Sequence, residues 1–282
     1  MTEIKNKNFQ IRTISFILTF FLAVMTLGLF ILAELNLGLG SSQNLRNSIN
    51  DSNYTQGAYA EALAKSKAYI KERNLPEKIL AGAVTEARFY MDSSKSIKAA
   101  LGGKSSLIDT TELETILRQN IDEYFDDSHI IKSETIKTAR EEIVQTVSGY
   151  YRSCAQFRFG EYFYQLNKKT DKVSPIAIPL LIILIALTFL VLIKMQKFKH
   201  RGYRYLSYSL FSATLANMII WLKLFFFDKV NEDAVANYYL AFSRDYLKSG
   251  MHAAAAVTAT GAVLFLATFL YANRHKLAGK VS

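Results

Sequence analysis

The side chains most able to do chemistry are Asp122, Glu123, Asp126 and Asp127, with His129 beside them. Asp122 and Asp126 stand four residues apart, as do Glu123 and Asp127, so each pair shares one face of a helix. Asp122, Asp126 and His129 are therefore the candidates for holding a divalent cation through oxygen and imidazole ligands. The plainer reading is a solvated helix end running into a loop, because no ligand loop of known spacing surrounds the cluster. No metal site is assigned on this pattern. His129, His200, His252 and His275 are too far apart to match metal-ligand spacing. Gly102-Gly103-Lys104-Ser105 matches the end of a phosphate loop, but that pattern needs a glycine where Lys98 stands, and no strand precedes it. Cys154 lacks a nucleophile signature and reads as a small buried hydrophobe. No catalytic residue and no cofactor are assigned, and the chain reads as non-enzymatic.

A second kind of chemistry comes from polar groups in apolar surroundings. Glu34, Asn217 and Lys223 fall inside or at the ends of long apolar runs. Asn217 needs a partner on a neighbouring helix, and Glu34 and Lys223 either snorkel to the interface or pair with each other. Counted from the start of their runs at about 1.5 Å per residue, their depths agree within about 5 Å, which predicts a Glu34–Lys223 pair.

These residues are positioned by four apolar stretches, 13–35, 176–193, 205–227 and 253–271. Each is close to the about 20 residues needed to cross about 30 Å of hydrocarbon. The expected fold is all-α: four transmembrane helices with an extracytoplasmic helical domain, a four-helix bundle, inserted between the first and second spans. The expected layout is a cytoplasmic tail 1–12, span 13–35, extracytoplasmic domain 36–174, span 175–193, basic cytoplasmic loop 194–204, span 205–227, short extracytoplasmic loop 228–250, span 251–272 and cytoplasmic tail 273–282. The first run is longer than a signal-peptide core and lacks a small-x-small cleavage site after it, so it is expected to stay as an anchor.

Charge sets the orientation. The net charge is +10, yet 19 basic residues face 18 acidic ones within 38–174, leaving 15 against 6 elsewhere. The excess flanks the spans, which is a topology signal and not a nucleic-acid stripe. Lys5, Lys7 and Arg12, then Lys194, Lys197, Lys199, Arg201 and Arg204, then Arg274, Lys276 and Lys280 place both termini and the 194–204 loop in the cytoplasm. A single cysteine forbids an intrachain disulfide and fits a bacterial plasma membrane.

Breakers divide the insert into four expected helices, 42–73, 76–101, 111–125 and 133–167. Ser133 is suited to an N-cap and Gly102-Gly103 to a C-terminal stop. Leu113, Ile116, Leu117, Ile121 and Tyr124 form one apolar stripe, and Ile136, Ile143, Val147, Tyr150 and Tyr151 another; both need burial. Asn50-Asp51-Ser52 and Asn53-Tyr54-Thr55 match the glycosylation sequon and read as polar helix surface. The aromatics between Tyr150 and Tyr164 read as bundle core and interfacial belt rather than a ligand pocket. Pro175 and Pro179 are expected to bend the start of span two. In span four, Ala254, Thr258, Gly261 and Ala262 supply small residues for close helix packing.

The cytoplasmic parts are too short for a kinase or nucleotide-binding module. The expected function is a membrane protein whose outer bundle binds a ligand or protein partner, acting as sensor, accessory or scaffold subunit. The alternative is an oligomeric channel or transporter subunit. The expected partners are the lipid bilayer and a membrane protein or further copies of the chain, with no nucleic acid. The layout from span one to span two resembles the outer half of bacterial chemoreceptors, without that family's long cytoplasmic hairpin. The large first outer loop resembles that of claudins, whose Trp and paired-Cys motif is missing here: the one tryptophan, Trp221, is in span three. No family is recognised from the residues themselves.

Overall fold

The computed structural model describes residues 2–102, 104, 107–129, 133–227 and 237–278, and these are helical with no strand. The helices are α1 (Thr2–Leu37), α2 (Ser42–Asp51), α3 (Tyr54–Glu72), α4 (Glu86–Leu101), α5 (Thr111–Asp127), α6 (Glu134–Ala155), α7 (Gly160–Met195), α8 (Lys199–Phe227) and α9 (Asn237–Ala278), with a 3₁₀ turn at Glu77–Leu80. α1, α7, α8 and α9 contain the apolar runs and are long and apolar enough to cross a membrane. The chain divides into two compact units, one of Met1–Asn44, Asn167–Asn231 and Tyr246–Ser282, the other of Leu45–Leu166 and Glu232–Asp245.

The first unit turns its large apolar side chains outward. Phe16, Phe20, Ile176, Leu187, Val263 and Leu270 are exposed, a surface suited to lipid and not to water. Inside it, α1 runs antiparallel to α7. Asn36 Nδ2 donates to Ser174 Oγ at 2.8 Å, and Gln196 Nε2 donates to Ser15 Oγ at 2.7 Å. α7 is continuous across Pro175 and Pro179.

The second unit packs α3, α4, α5 and α6 around one core that includes Ala58, Ile70, Phe89, Leu117 and Val147. Of the two expected stripes, Leu113, Leu117, Ile121, Ile143, Val147 and Tyr151 are buried, while Ile116, Tyr124 and Ile136 pack at its margin. Polar clasps fix the seams. Arg118 Nε meets both oxygens of Glu141 at 3.1 Å, and Asn120 Nδ2 donates to the carbonyls of Ile79 and Ala81 at 2.8 Å. The Asn120 clasp holds the 3₁₀ turn against α5.

Several expected boundaries move for local reasons. The 42–73 helix breaks because Asn53 adopts left-handed φ 51°, a conformation that asparagine tolerates better than most residues. Tyr54 then turns inward and is buried, while Asn53 of the second sequon stays exposed and Thr55 is half-buried. The 76–101 helix reduces to the 3₁₀ turn and α4, because Gly82 takes φ +72° between them. The 133–167 helix is interrupted after Ala155, where Gln156 is extended and the Phe157 N–H donates to Ser96 Oγ instead of continuing the helical ladder. Ser133 does cap α6, accepting from the Ile136 N–H. The loop expected over 228–250 is helical from Asn237, and 228–236 lie outside the described residues. Tyr238 and Phe242 explain the early start: their rings pack on Tyr54, with centroids at 5.1 and 5.3 Å. That burial outweighs the polar composition from which a loop was expected.

Candidate functional site

Glu34 lies near the C-terminal end of α1, and its side chain is buried among the long apolar helices. Its partners come from α8: Asn217 Nδ2 donates to Oε1 at 2.5 Å and Trp221 Nε1 donates to Oε2 at 2.6 Å. Asn217 Nδ2 also contacts Thr258 Oγ1 on α9 at 3.1 Å, so one carboxylate and one amide tie three helices together. Asn217 is completely buried. Its Oδ1, and the Oγ1 of Thr214 one turn earlier, are buried without a hydrogen-bond partner. A carboxylate in such surroundings is costly unless each oxygen finds a donor. Glu34 has one for each.

Lys223 is not among those partners. It is exposed on α8, and no ion pair among the described residues joins it to Glu34. The expected Glu34–Lys223 pair is therefore corrected to a pair with Asn217 and Trp221. Matching depth is only half the condition for contact. Residues on a helix advance about 100° each, so Trp221 stays within about 40° of Asn217 while Lys223 is turned about 200° from Trp221.

Small residues let the helices approach. A Cβ on Gly261 would lie 2.9 Å from the Phe30 ring and 2.5 Å from Thr214 Oγ1. A Cβ on Gly38 would lie 3.0 Å from Ala253 Cβ and from Gly250 Cα. Ala254 is buried, Thr258 is half-buried and meets Asn217, and Ala262 lines an apolar groove with Thr214 and Phe265. Of the four span-four residues singled out in the sequence, Thr258, Gly261 and Ala262 lie beside residues of α8.

The acidic cluster of the second unit is placed differently. Both oxygens of Asp122 accept from Arg140 Nη1, at 2.9 and 2.7 Å. Asp127 lies 3.7 Å from Lys78 Nζ. His129 Nδ1 is 3.3 Å from the backbone oxygen of Asp126, and His129 itself sits at φ 57°. The candidate ligand Asp122 therefore faces an arginine on α6, and its turn of α5 is a structural clasp. Gly103 and Ser105 of the phosphate-loop-like motif lie outside the described residues. Gly102 and Lys104 donate their N–H groups to carbonyls of Lys98 and Ala99, so the motif closes the end of α4, whereas a phosphate loop opens a helix. Cys154 is buried, and burial pushes its thiol above the ordinary range, which suits a packing role.

The second unit also holds a cleft of about 300 Å³ lined by Lys104, Gln156, Arg158, Glu161, Tyr164 and Gln165, among others. It opens where the chain leaves α6 and begins α7. Sequence reading located the aromatics of this segment but not the cleft. Lys104 follows the expected Gly102-Gly103 stop, but Arg158 falls inside the expected 133–167 helix, so the break that opens the cleft carried no signal in the sequence. Of the aromatics themselves, Tyr151, Phe157 and Phe163 are buried and Tyr162 is exposed.

Fold and site define a class: the described residues are helical and include four helices long and apolar enough to cross a membrane, as in a multi-pass membrane protein. No protein family, curated protein or solved structure matches the chain.

Proposed function

We propose that the chain is a non-enzymatic subunit of a plasma-membrane complex, with its 36–174 segment outside the membrane binding a ligand or protein partner as sensor, accessory or scaffold. The observation that carries this reading is the second unit's own closed core, with the Lys104–Arg158 cleft at its edge. Two cations, Lys104 and Arg158, against one carboxylate, Glu161, leave the cleft a net positive charge beside Gln156, Gln165 and Tyr164, which suits a small molecule bearing a carboxylate or phosphate. Sidedness rests on the distribution of lysine and arginine about the spans, and the bacterial setting on cysteine usage.

The test has two arms on the full chain. A cysteine at the exposed Leu107, against a background of buried Cys154, reacts in intact cells with a membrane-impermeant maleimide. Reaction only after permeabilisation reverses the topology. In detergent, small carboxylates or phosphates raise the melting temperature, and Lys104→Ala with Arg158→Ala removes the effect. A panel that shifts nothing leaves the cleft without a role.

A second reading, a channel or transporter subunit, is supported by one observation, the buried carboxyl of Glu34 bonded to Asn217 and Trp221 on α8, with Asn217 in turn reaching Thr258 on α9.

A further inference from the structure

We infer that Glu34, Asn217, Thr258 and Thr214 form a binding site for one dehydrated monovalent cation, sodium, held between α1, α8 and α9. The inference does not depend on the outer unit's ligand. It begins from an imbalance of donors and acceptors. The two oxygens of Glu34 are each met by one neutral donor, Asn217 Nδ2 and Trp221 Nε1. No lysine, arginine or histidine among the described residues forms an ion pair with Glu34, so a formal negative charge is surrounded by neutral groups in an apolar seam. Around it the surplus is oxygen. Asn217 Oδ1 and Thr214 Oγ1 are buried with no donor, and Thr258 Oγ1 accepts from the same amide.

A hard cation answers both deficits at once, because it supplies charge and takes oxygen ligands. A proton on Glu34 would cancel the charge and leave Asn217 Oδ1 and Thr214 Oγ1 bare. A divalent ion would leave a net positive charge, since one carboxylate balances one. The seam is narrow at this level: Gly261 is hemmed in by Thr214 Oγ1 and the Phe30 ring, which favours a small ion over potassium. Trp221, the single tryptophan of the chain, donates to the same carboxylate and is a built-in optical reporter.

The experiment uses the full chain in detergent micelles at fixed pH and ionic strength, with sodium chloride replaced by potassium chloride or choline chloride. Melting temperature and Trp221 emission are followed together. Sodium at about ten times its dissociation constant is expected to raise the melting temperature by about 3–5 °C over choline. The emission of Trp221 is expected to change saturably over the same concentrations. Glu34→Gln abolishes both responses. Thr214→Val, which removes one unpartnered oxygen while leaving every named hydrogen bond in place, weakens the sodium midpoint several-fold and keeps the inference testable if Glu34→Gln fails to fold. Equal melting temperatures and emission in the three salts overturn the inference. So does a response shared equally by sodium, potassium and choline, and so does a response that survives Thr214→Val and Glu34→Gln unchanged.

Discussion

Asn217 is the residue on which the polar seam of the apolar helices turns, since its amide reaches both Glu34 and Thr258. Removing it strips a donor from a buried carboxylate, and a buried group left unsatisfied costs about 1–3 kcal/mol. Asn217→Ala is therefore expected to lower stability in detergent by that amount. Lys223→Ala, on an exposed position with no described partner, is expected to fall within about 0.5 kcal/mol of the parent. Thermal unfolding of both variants checks this. Charge reversal at Glu34 and Lys223 together is expected to restore nothing that the single reversals lose. The sequence carried the depth of these residues, because rise per residue is nearly constant. It did not carry their azimuth, because a run of apolar residues on every side gives no helical phase. A one-faced stripe such as Leu113, Leu117 and Ile121 does show its phase, and those three residues are all buried.

At the scale of elements, clasps between neighbours matter more than the helices' own propensities. Glu141 on α6 is held below the usual carboxylate range, first by its hydrogen bond from Arg118 and then by the charges of Arg118 and Arg140. A carboxyl lowered in the folded state stabilises fully above its unfolded value and loses that contribution as pH falls through the folded one. Acid is thus expected to loosen the α5–α6 seam, and Glu141→Gln to flatten the acid limb of a helicity-against-pH curve. Near-ultraviolet and far-ultraviolet dichroism follow the two effects. The breaks between elements were only partly legible. Pro76 and Gly102 announce themselves by type. Asn53 does not, since asparagine inside a helical pattern is ordinary until the chain needs a left-handed residue there. The early start of α9 was hidden for a different reason: its support, Tyr54, lies far away in sequence.

At the scale of the whole molecule, we propose that both termini lie in the cytoplasm. A reporter active only there, fused after Ser282, is expected to work, and an exported phosphatase at the same point is expected to be silent. A fragment of residues 40–172 is expected to be helical by circular dichroism. It omits Tyr238 and Phe242, so the Tyr54 and Phe157 rings lose their covering. The fragment is therefore expected to self-associate on sizing. A spectrum of coil or strand would count against an autonomous unit.

The two side-chain hydrogen bonds between α1 and α7 act as a register lock. Ser15–Gln196 and Asn36–Ser174 are separated on α1 by a rise of about 31 Å, close to the thickness of the hydrocarbon layer. A piston stroke of α1 along α7 by about 1–2 Å, the size of shift by which helices transmit signals, would stretch both bonds together. Displacement along the membrane normal is thereby opposed at both ends of the pair. Because Glu34 also ties α1 to α8, and Asn217 ties α8 to α9, sliding of α1 is resisted by the whole apolar unit, and a cross-link between positions 36 and 174 is expected to leave its melting temperature unchanged or raised.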